Sequence, residues 1–99
     1  MIIVFGAIYA DMVMRVDKFP DPGETVLTTT YTYVPGGKGA NQALAASRAG
    51  QKVLLAGAIG SDAQGTLALT LLQSASIDLS AVKVSSMPTG CSSIFVNKH

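Results

Sequence analysis

The 99-residue sequence predicts an α/β fold in which a parallel sheet lies beside a small antiparallel β-flap. Three observations carry that prediction. Two short apolar runs, Ile2 to Ile8 and Val53 to Ala58, are rich in β-branched or aliphatic residues and read as parallel strands buried on both faces. An alanine-rich stretch bracketed by glycines lies between them and reads as a helix. The segment before that helix has another texture, with β-formers alternating between two faces.

The run Ile2 to Ile8 makes the first strand, and VLLAGA from Val53 makes its neighbour. Far more chain separates them than the roughly dozen residues a parallel crossover needs, so the pair predicts a right-handed βαβ unit with an insertion. The insertion holds Met12 to Asp17 and Val26 to Val34, divided by FPDPGE, a segment dense in turn residues, and reads as an antiparallel pair. In TTTYTYV, Thr28, Thr30 and Thr32 fall on one face and Tyr31 and Tyr33 on the other.

The crossover helix runs from Lys38 to Ala49, starting where Gly36 and Gly37 break the strand and ending at Gly50 as a left-handed cap. Ala40, Ala43, Ala46 and Ala49 let it lie close to the sheet, with Leu44 as the larger anchor. A second helix follows from about Asp62 to Ala75, capped by Ser61 or Asp62, with Leu67, Leu71 and Leu72 as its buried stripe. Ala81 to Ser85 is a third short strand. Gly90 to Asn97 is another flap strand that runs into Lys98 and His99, and a lone edge of this composition invites association, which argues that more chain should follow.

Composition narrows the function. Hydrophobic residues make up 48% and charged residues 13%, rich for a free-standing small domain and closer to the interior of a larger α/β protein. The net charge of +1 is scattered without a run of either sign, so no nucleic acid partner is expected. The single cysteine, Cys91, forms no internal disulfide and reads as a small apolar residue. No Cys/His grouping has metal-ligand spacing, so no metal site is expected, and a reducing cytoplasm is the natural setting. The apolar opening lacks a basic leader, and no stretch approaches the ~18 apolar residues of a membrane span, so a soluble protein with no membrane partner is expected.

The segment Pro35 to Gln42 is the most informative. Paired glycines precede a helix whose first turn carries Lys38 and Asn41, so outward-pointing amides and side-chain donors share one helix end. Such a site suits a hydroxyl-rich or anionic molecule, although a glycine-rich strand-to-helix turn with no ligand would look the same. A phosphate-binding P-loop fails on spacing, since Lys38 is followed by Gly39 where Ser or Thr is needed. The dinucleotide fingerprint fails as well, with Gln42 in place of its third glycine. Asp11 follows the first strand directly, at the carboxyl edge where open α/β sheets gather ligands, and its carboxylate accepts hydroxyl hydrogen bonds. Asp11 and Asn41 are expected to face one pocket.

GAIYADMVMRVDKFPDPGET, PGGKGANQALAASRAG, GAIGSDAQG and PTG with its following strand occur in that order. Together they resemble the N-terminal signatures of the ribokinase-like (PfkB) carbohydrate kinases over nearly the whole chain. The resemblance implies a Rossmann-type sheet with a β-lid, residues 1–99 forming the N-terminal part of one such domain with lid strands at about 12–34 and 90–99. It also implies that Asp11, Gly36, Gly37, Lys38 and Asn41 hold sugar hydroxyls, and that Ser92 and Ile94 occupy lid positions that touch the sugar. The lid of such enzymes often doubles as a dimerisation surface, so a homodimer through it is implied. FPDPGET and GAIGSDAQG look structural, around Gly23, Gly57, Gly60 and Gly65.

Two departures matter. Ala7 and Tyr9 stand where family members acting on ribose usually carry Ser and Asn, so the bulk of Tyr9 leans away from ribose, whereas the form GGKGANQA leans towards it. The family's catalytic base sits in a Gly-Ala-Gly-Asp motif far downstream, its sites for ATP with Mg2+ and for a monovalent cation also lie downstream, and residues 1–99 hold none of these. The expected function is the sugar-binding N-terminal portion of an ATP-dependent sugar kinase, inactive by itself. The alternatives are a truncated module that binds sugar or pairs strands without catalysis, and a fructose, nucleoside or deoxy-sugar-acid kinase of the same fold.

Overall fold

The computed structural model describes residues 1–97. Its elements are β1 (Ile2–Phe5), β2 (Tyr9–Arg15), β3 (Thr30–Gly36), α1 (Lys38–Arg48), β4 (Val53–Gly60), α2 (Ala63–Gln73), β5 (Asp78–Ser85) and β6 (Gly90–Val96). They form two three-stranded sheets, ordered β1-β4-β5 and β3-β2-β6. All pairs of the first sheet are parallel. In the flap sheet β2 pairs β3 antiparallel and β6 parallel, so the flap is mixed where an antiparallel one was expected. The expected run of the last strand into Lys98 and His99 lies outside the described residues.

Both helices cover the sheet face that carries Val4, Val53, Leu55 and Ile59. Burial of a large aliphatic side chain there contributes roughly 2 kcal/mol each. Ala40, Ala43 and Leu44 of α1 join Ala68 and Leu72 of α2 in this core. The turn after α2 is tied to α1 where the Ser47 hydroxyl donates to the Ala75 carbonyl at 2.8 Å. The opposite face is open: Ile3 is 69% and Phe5 85% exposed. β1 is therefore not the doubly buried strand its composition suggested. It also ends at Phe5, because the chain leaves this sheet at Gly6 and enters the flap at Tyr9.

Smaller corrections follow from packing. The contact stripe of α2 is Gly65, Ala68 and Leu72, and Leu67 and Leu71 sit half-buried at its flanks, because α2 is apolar nearly all round and its periodicity points weakly. Ala49 is exposed, since α1 closes there. The amides of Gly50 and Gln51 fold back on the carbonyls of Ser47 and Ala46, with Gly50 at φ 89°, a left-handed cap of the expected kind. β5 starts at Asp78, three residues before the expected Ala81, with a register irregularity against β4. Cys91 is an exposed residue of β6, outside the core. The alternation of TTTYTYV holds: Tyr31 and Tyr33 share a face, edge to face with ring centroids 6.3 Å apart.

Asp62 caps α2, its Oδ1 accepting the Gly65 amide at 2.9 Å. The Thr89 hydroxyl, then the amides of Thr89 and Gly65, hold its carboxyl below the ordinary aspartate value against a smaller opposing push from burial. A lowered carboxyl contributes stability that is fully present above its ordinary pKa and is lost as the pH falls through the lowered value. Asp62→Asn is therefore expected to flatten the acid side of a melting-temperature profile against pH. In urea denaturation, Leu72→Ala is expected to cost about 2–5 kcal/mol, and Leu67→Ala about 1 kcal/mol or less.

Candidate sugar site

The site forms where the chain crosses between the two sheets. After β1, residues 6–8 lead into β2, and Asp11 is the third residue of that strand. Asp11 thus stands in the flap sheet, not at the carboxyl end of the buried strand where the sequence alone placed it. Its neighbours across the sheet are Val34 and Ser92. The Ser92 hydroxyl donates to Asp11 Oδ1 at 2.7 Å, an orienting bond between residues 81 apart in the chain.

Tyr9 shares the face of Asp11, two residues away, and lies opposite Gly36 on one side and Gly90 on the other. Both glycines act by leaving space. A Cβ at Gly36 would collide with the Asp11 carboxylate, and one at Gly90 would collide with the Tyr9 ring. Gly36 is buried and leaves a recess for Asp11.

The first turn of α1 arrives over this row. Its N-cap, Gly37, has φ 88° and no capping side chain, and a Cβ there would lie 2.5 Å from the Ala7 carbonyl oxygen. The Ala40 amide donates to that same oxygen at 3.1 Å, fastening the helix start to the crossing between β1 and β2. The result is a cleft of about 720 Å³. Asp11, Tyr9 and Ser92 line it from the flap, and Gly37, Lys38 and Asn41 from the helix. Of the residues singled out from sequence, these six meet in one cavity. Ile94 does not line it: it sits two residues beyond Ser92 on the same face, opposite Val13.

Ala7, noted in the sequence as a departure beside Tyr9, also lines the cleft, and Phe5, Gly6, Gly39 and Gln42 line it without having been named as site residues. Gln42 was legible, since it lies one helical turn from Lys38 and so shares its face. Phe5 was not, because its composition signalled a buried strand. Within this lining Asp11 is the one carboxylate and Lys38 the one ammonium. Opposite single charges, an amide pair from Asn41 and Gln42, and the aromatic rings of Phe5 and Tyr9 make a set suited to a neutral polyhydroxy compound.

Residues 1–99 match the family model described as pfkB family carbohydrate kinase. The ribokinase of Bacillus subtilis is 50% identical over 72 residues, which is 73% of this chain and 25% of that protein. The ribokinase of Haemophilus influenzae is 43% identical over 96 residues, 96% of this chain and 31% of that protein. The chain therefore spans about a quarter to a third of the length of these relatives. Among solved structures, ribokinase from Cryptococcus neoformans in complex with ADP superposes with a TM-score of 0.78 at 37% identity, covering 97% of this chain and 30% of that one. Arabidopsis thaliana ribokinase complexed with ribose and ATP gives 0.81 at 30% identity, covering 97% and 32%.

Replacing Gly36 with alanine is expected to push the Asp11 carboxylate off Ser92 and to weaken any polyol held in the cleft about tenfold or more by calorimetry, the value of one charged hydrogen bond.

Proposed function

The chain belongs to the pfkB family of carbohydrate kinases, and from that premise we propose that it supplies the sugar-binding N-terminal part of an ATP-dependent sugar kinase. The observation that carries this reading is the convergence of Asp11 and the α1 first turn on one cleft. Asp11 keeps acceptor capacity beyond its bond from Ser92 and takes two hydroxyls of a pentose or related sugar. The Lys38 ammonium donates to a third, and Asn41 donates and accepts on the same side. The amides of the first turn add to this at Gly37 and Lys38. Gly36 serves the sugar indirectly, by seating Asp11, and Ile94 reaches it only if the flap moves.

These residues perform acceptor-side work: they hold the sugar so that a primary hydroxyl points towards the phosphoryl donor, which is most of what phosphoryl transfer asks of a protein. The donor is ATP, in keeping with the nucleotides in the two related structures. Bound with Mg2+, it supplies the γ-phosphoryl group, and a monovalent cation is part of the same reading. The cleft does not itself fit the metal, since Asp11 is its single lining carboxylate and no group of three or more His, Cys, Asp or Glu that could hold an ion is present among the described residues. On this reading residues 1–99 serve the sugar alone and the complete enzyme's other parts supply the catalytic base and the nucleotide, Mg2+ and cation sites, so the 99-residue chain by itself is expected to be inactive.

Tyr9 favours a sugar other than ribose, because its ring takes up cleft space beside Asp11. The edges of the flap sheet, β3 and β6, expose Tyr31, Phe95 and Val96, which supports a homodimer built through the flap. No helix of the described residues is long and apolar enough to cross a membrane, and the reading places the enzyme in the cytoplasm without nucleic acid or membrane partners.

The test is sugar phosphorylation by the complete protein across pentoses, 2-deoxypentoses, fructose and nucleosides. Asp11→Ala is expected to lower kcat/KM for the preferred sugar about 100-fold, from two charged hydrogen bonds at roughly 1.5 kcal/mol each. Tyr9→Asn is expected to shift preference towards ribose. Unchanged sugar affinity in Asp11→Ala, or phosphorylation by residues 1–99 alone, would refute the reading.

A further inference from the structure

Three crossings join the flap to the α/β layer: residues 6–8 into β2, Gly37 out of β3, and residues 86–89 into β6. The first two hold each other through the main chain, with Ala40 bonded to Ala7 and Gly39 packed so tightly on Gly6 that a Cβ would lie 2.5 Å from its carbonyl carbon. The third is held by side chains from another element. Asp62, at the start of α2, accepts the Thr89 amide on Oδ2 at 2.9 Å and the Thr89 hydroxyl on Oδ1 at 2.5 Å. That hydroxyl in turn accepts the Gly60 amide, at the end of β4, at 2.8 Å. Thr89 is 7% exposed and is the one buried polar residue among those described. Its hydroxyl thus joins the end of β4, the cap of α2 and the entry to β6, using its donor and an acceptor site in one clasp.

The glycines around the clasp have no room for a side chain. A Cβ at Gly60 would lie 2.6 Å from the Met87 carbonyl oxygen, and one at Gly65 would lie 2.8 Å from the Thr89 hydroxyl. β6 begins at the next residue, with Gly90 opposite Tyr9, and two residues further Ser92 meets Asp11. Strand side chains alternate, so a slip of β6 by one residue would turn Ser92 to the other face and leave Asp11 without its hydroxyl partner.

We propose that Asp62 and Thr89 are positioning residues of the sugar site, fixing the register of β6 against β2 so that Ser92 is held on Asp11. This rests on the sugar-site reading above and adds to it two residues that touch no cleft surface.

Steady-state kinetics of the complete protein, with sugar and ATP varied separately, test the proposal beside hydrogen exchange of the β6 amides. Thr89→Val is expected to raise the sugar KM about tenfold, in line with one charged hydrogen bond, while the KM for ATP stays within about twofold. Thr89→Ser, which restores the hydroxyl, is expected to return both to the starting values. In a Ser92→Ala background Thr89→Val should add less than about twofold, since the bond it acts through is already absent. If Thr89→Val does not fold, Asp62→Asn keeps the shape of the clasp and is expected to raise the sugar KM at least about threefold. Faster exchange at residues 91–94 in either variant supports the clasp whether or not a sugar is turned over. Unchanged exchange with an unchanged sugar KM, or full additivity with Ser92→Ala, would overturn it. Absence of sugar phosphorylation by the unmodified protein would instead count against the proposed function.

Discussion

The arrangement depends on how closely the start of α1 can approach the crossing between β1 and β2. Gly39 packs directly on Gly6, and the Ala40 amide bonds the Ala7 carbonyl. Backbone meets backbone there, so a side chain at either glycine would have to lift the helix off the sheet. The small residues that follow, Ala40 and Ala43, extend the approach into the core. Because the helix starts against the crossing, its first turn necessarily overhangs whatever the flap presents next, and that is the row of Tyr9 and Asp11.

The flap meets the helix with space removed where side chains must lean. Gly36 and Gly90 flank Tyr9 in neighbouring strands, and each gives up its side chain to a different partner, Asp11 in one case and the Tyr9 ring in the other. Asp11 is thereby seated sideways and held by Ser92. A carboxylate positioned in this way before a ligand arrives loses less freedom on binding than one free to rotate. Two kinds of fastening are in play. The crossings near α1 are joined by main chain, which depends little on side-chain identity beyond glycine, whereas the crossing into β6 is joined by the Asp62 and Thr89 side chains.

Much of this was legible in the sequence. Helix α1 and its glycine cap, a cap for α2 at Ser61 or Asp62, the parallel strands and the β2–β3 pair of the flap all follow from local propensity and period. The readings that missed share one cause. β1 was taken as buried on both faces because its residues favour burial, but composition reports a preference and not the presence of a covering layer. Leu67 and Leu71 were taken for the stripe of α2 because they are large, whereas the contact is made by Gly65 and Ala68, whose smallness allows the approach. Gly36 stands in the glycine motif, and the position of the Asp11 carboxylate adds what the motif does not say, that this glycine leaves a recess for that side chain.

What the sequence determined by itself is therefore local: which segments are helix or strand, where glycines and caps punctuate them, and which residues near Gly37 and Asp11 carry polar chemistry. Those properties reside in a few neighbouring residues and survive in any context that lets the segment fold. The tertiary structure decided the rest: that β6 joins β2 in parallel, that Ser92 and no neighbour meets Asp11, and that the six residues share one cleft. These are matters of register and approach between segments as much as 81 residues apart, set by packing that no local pattern encodes.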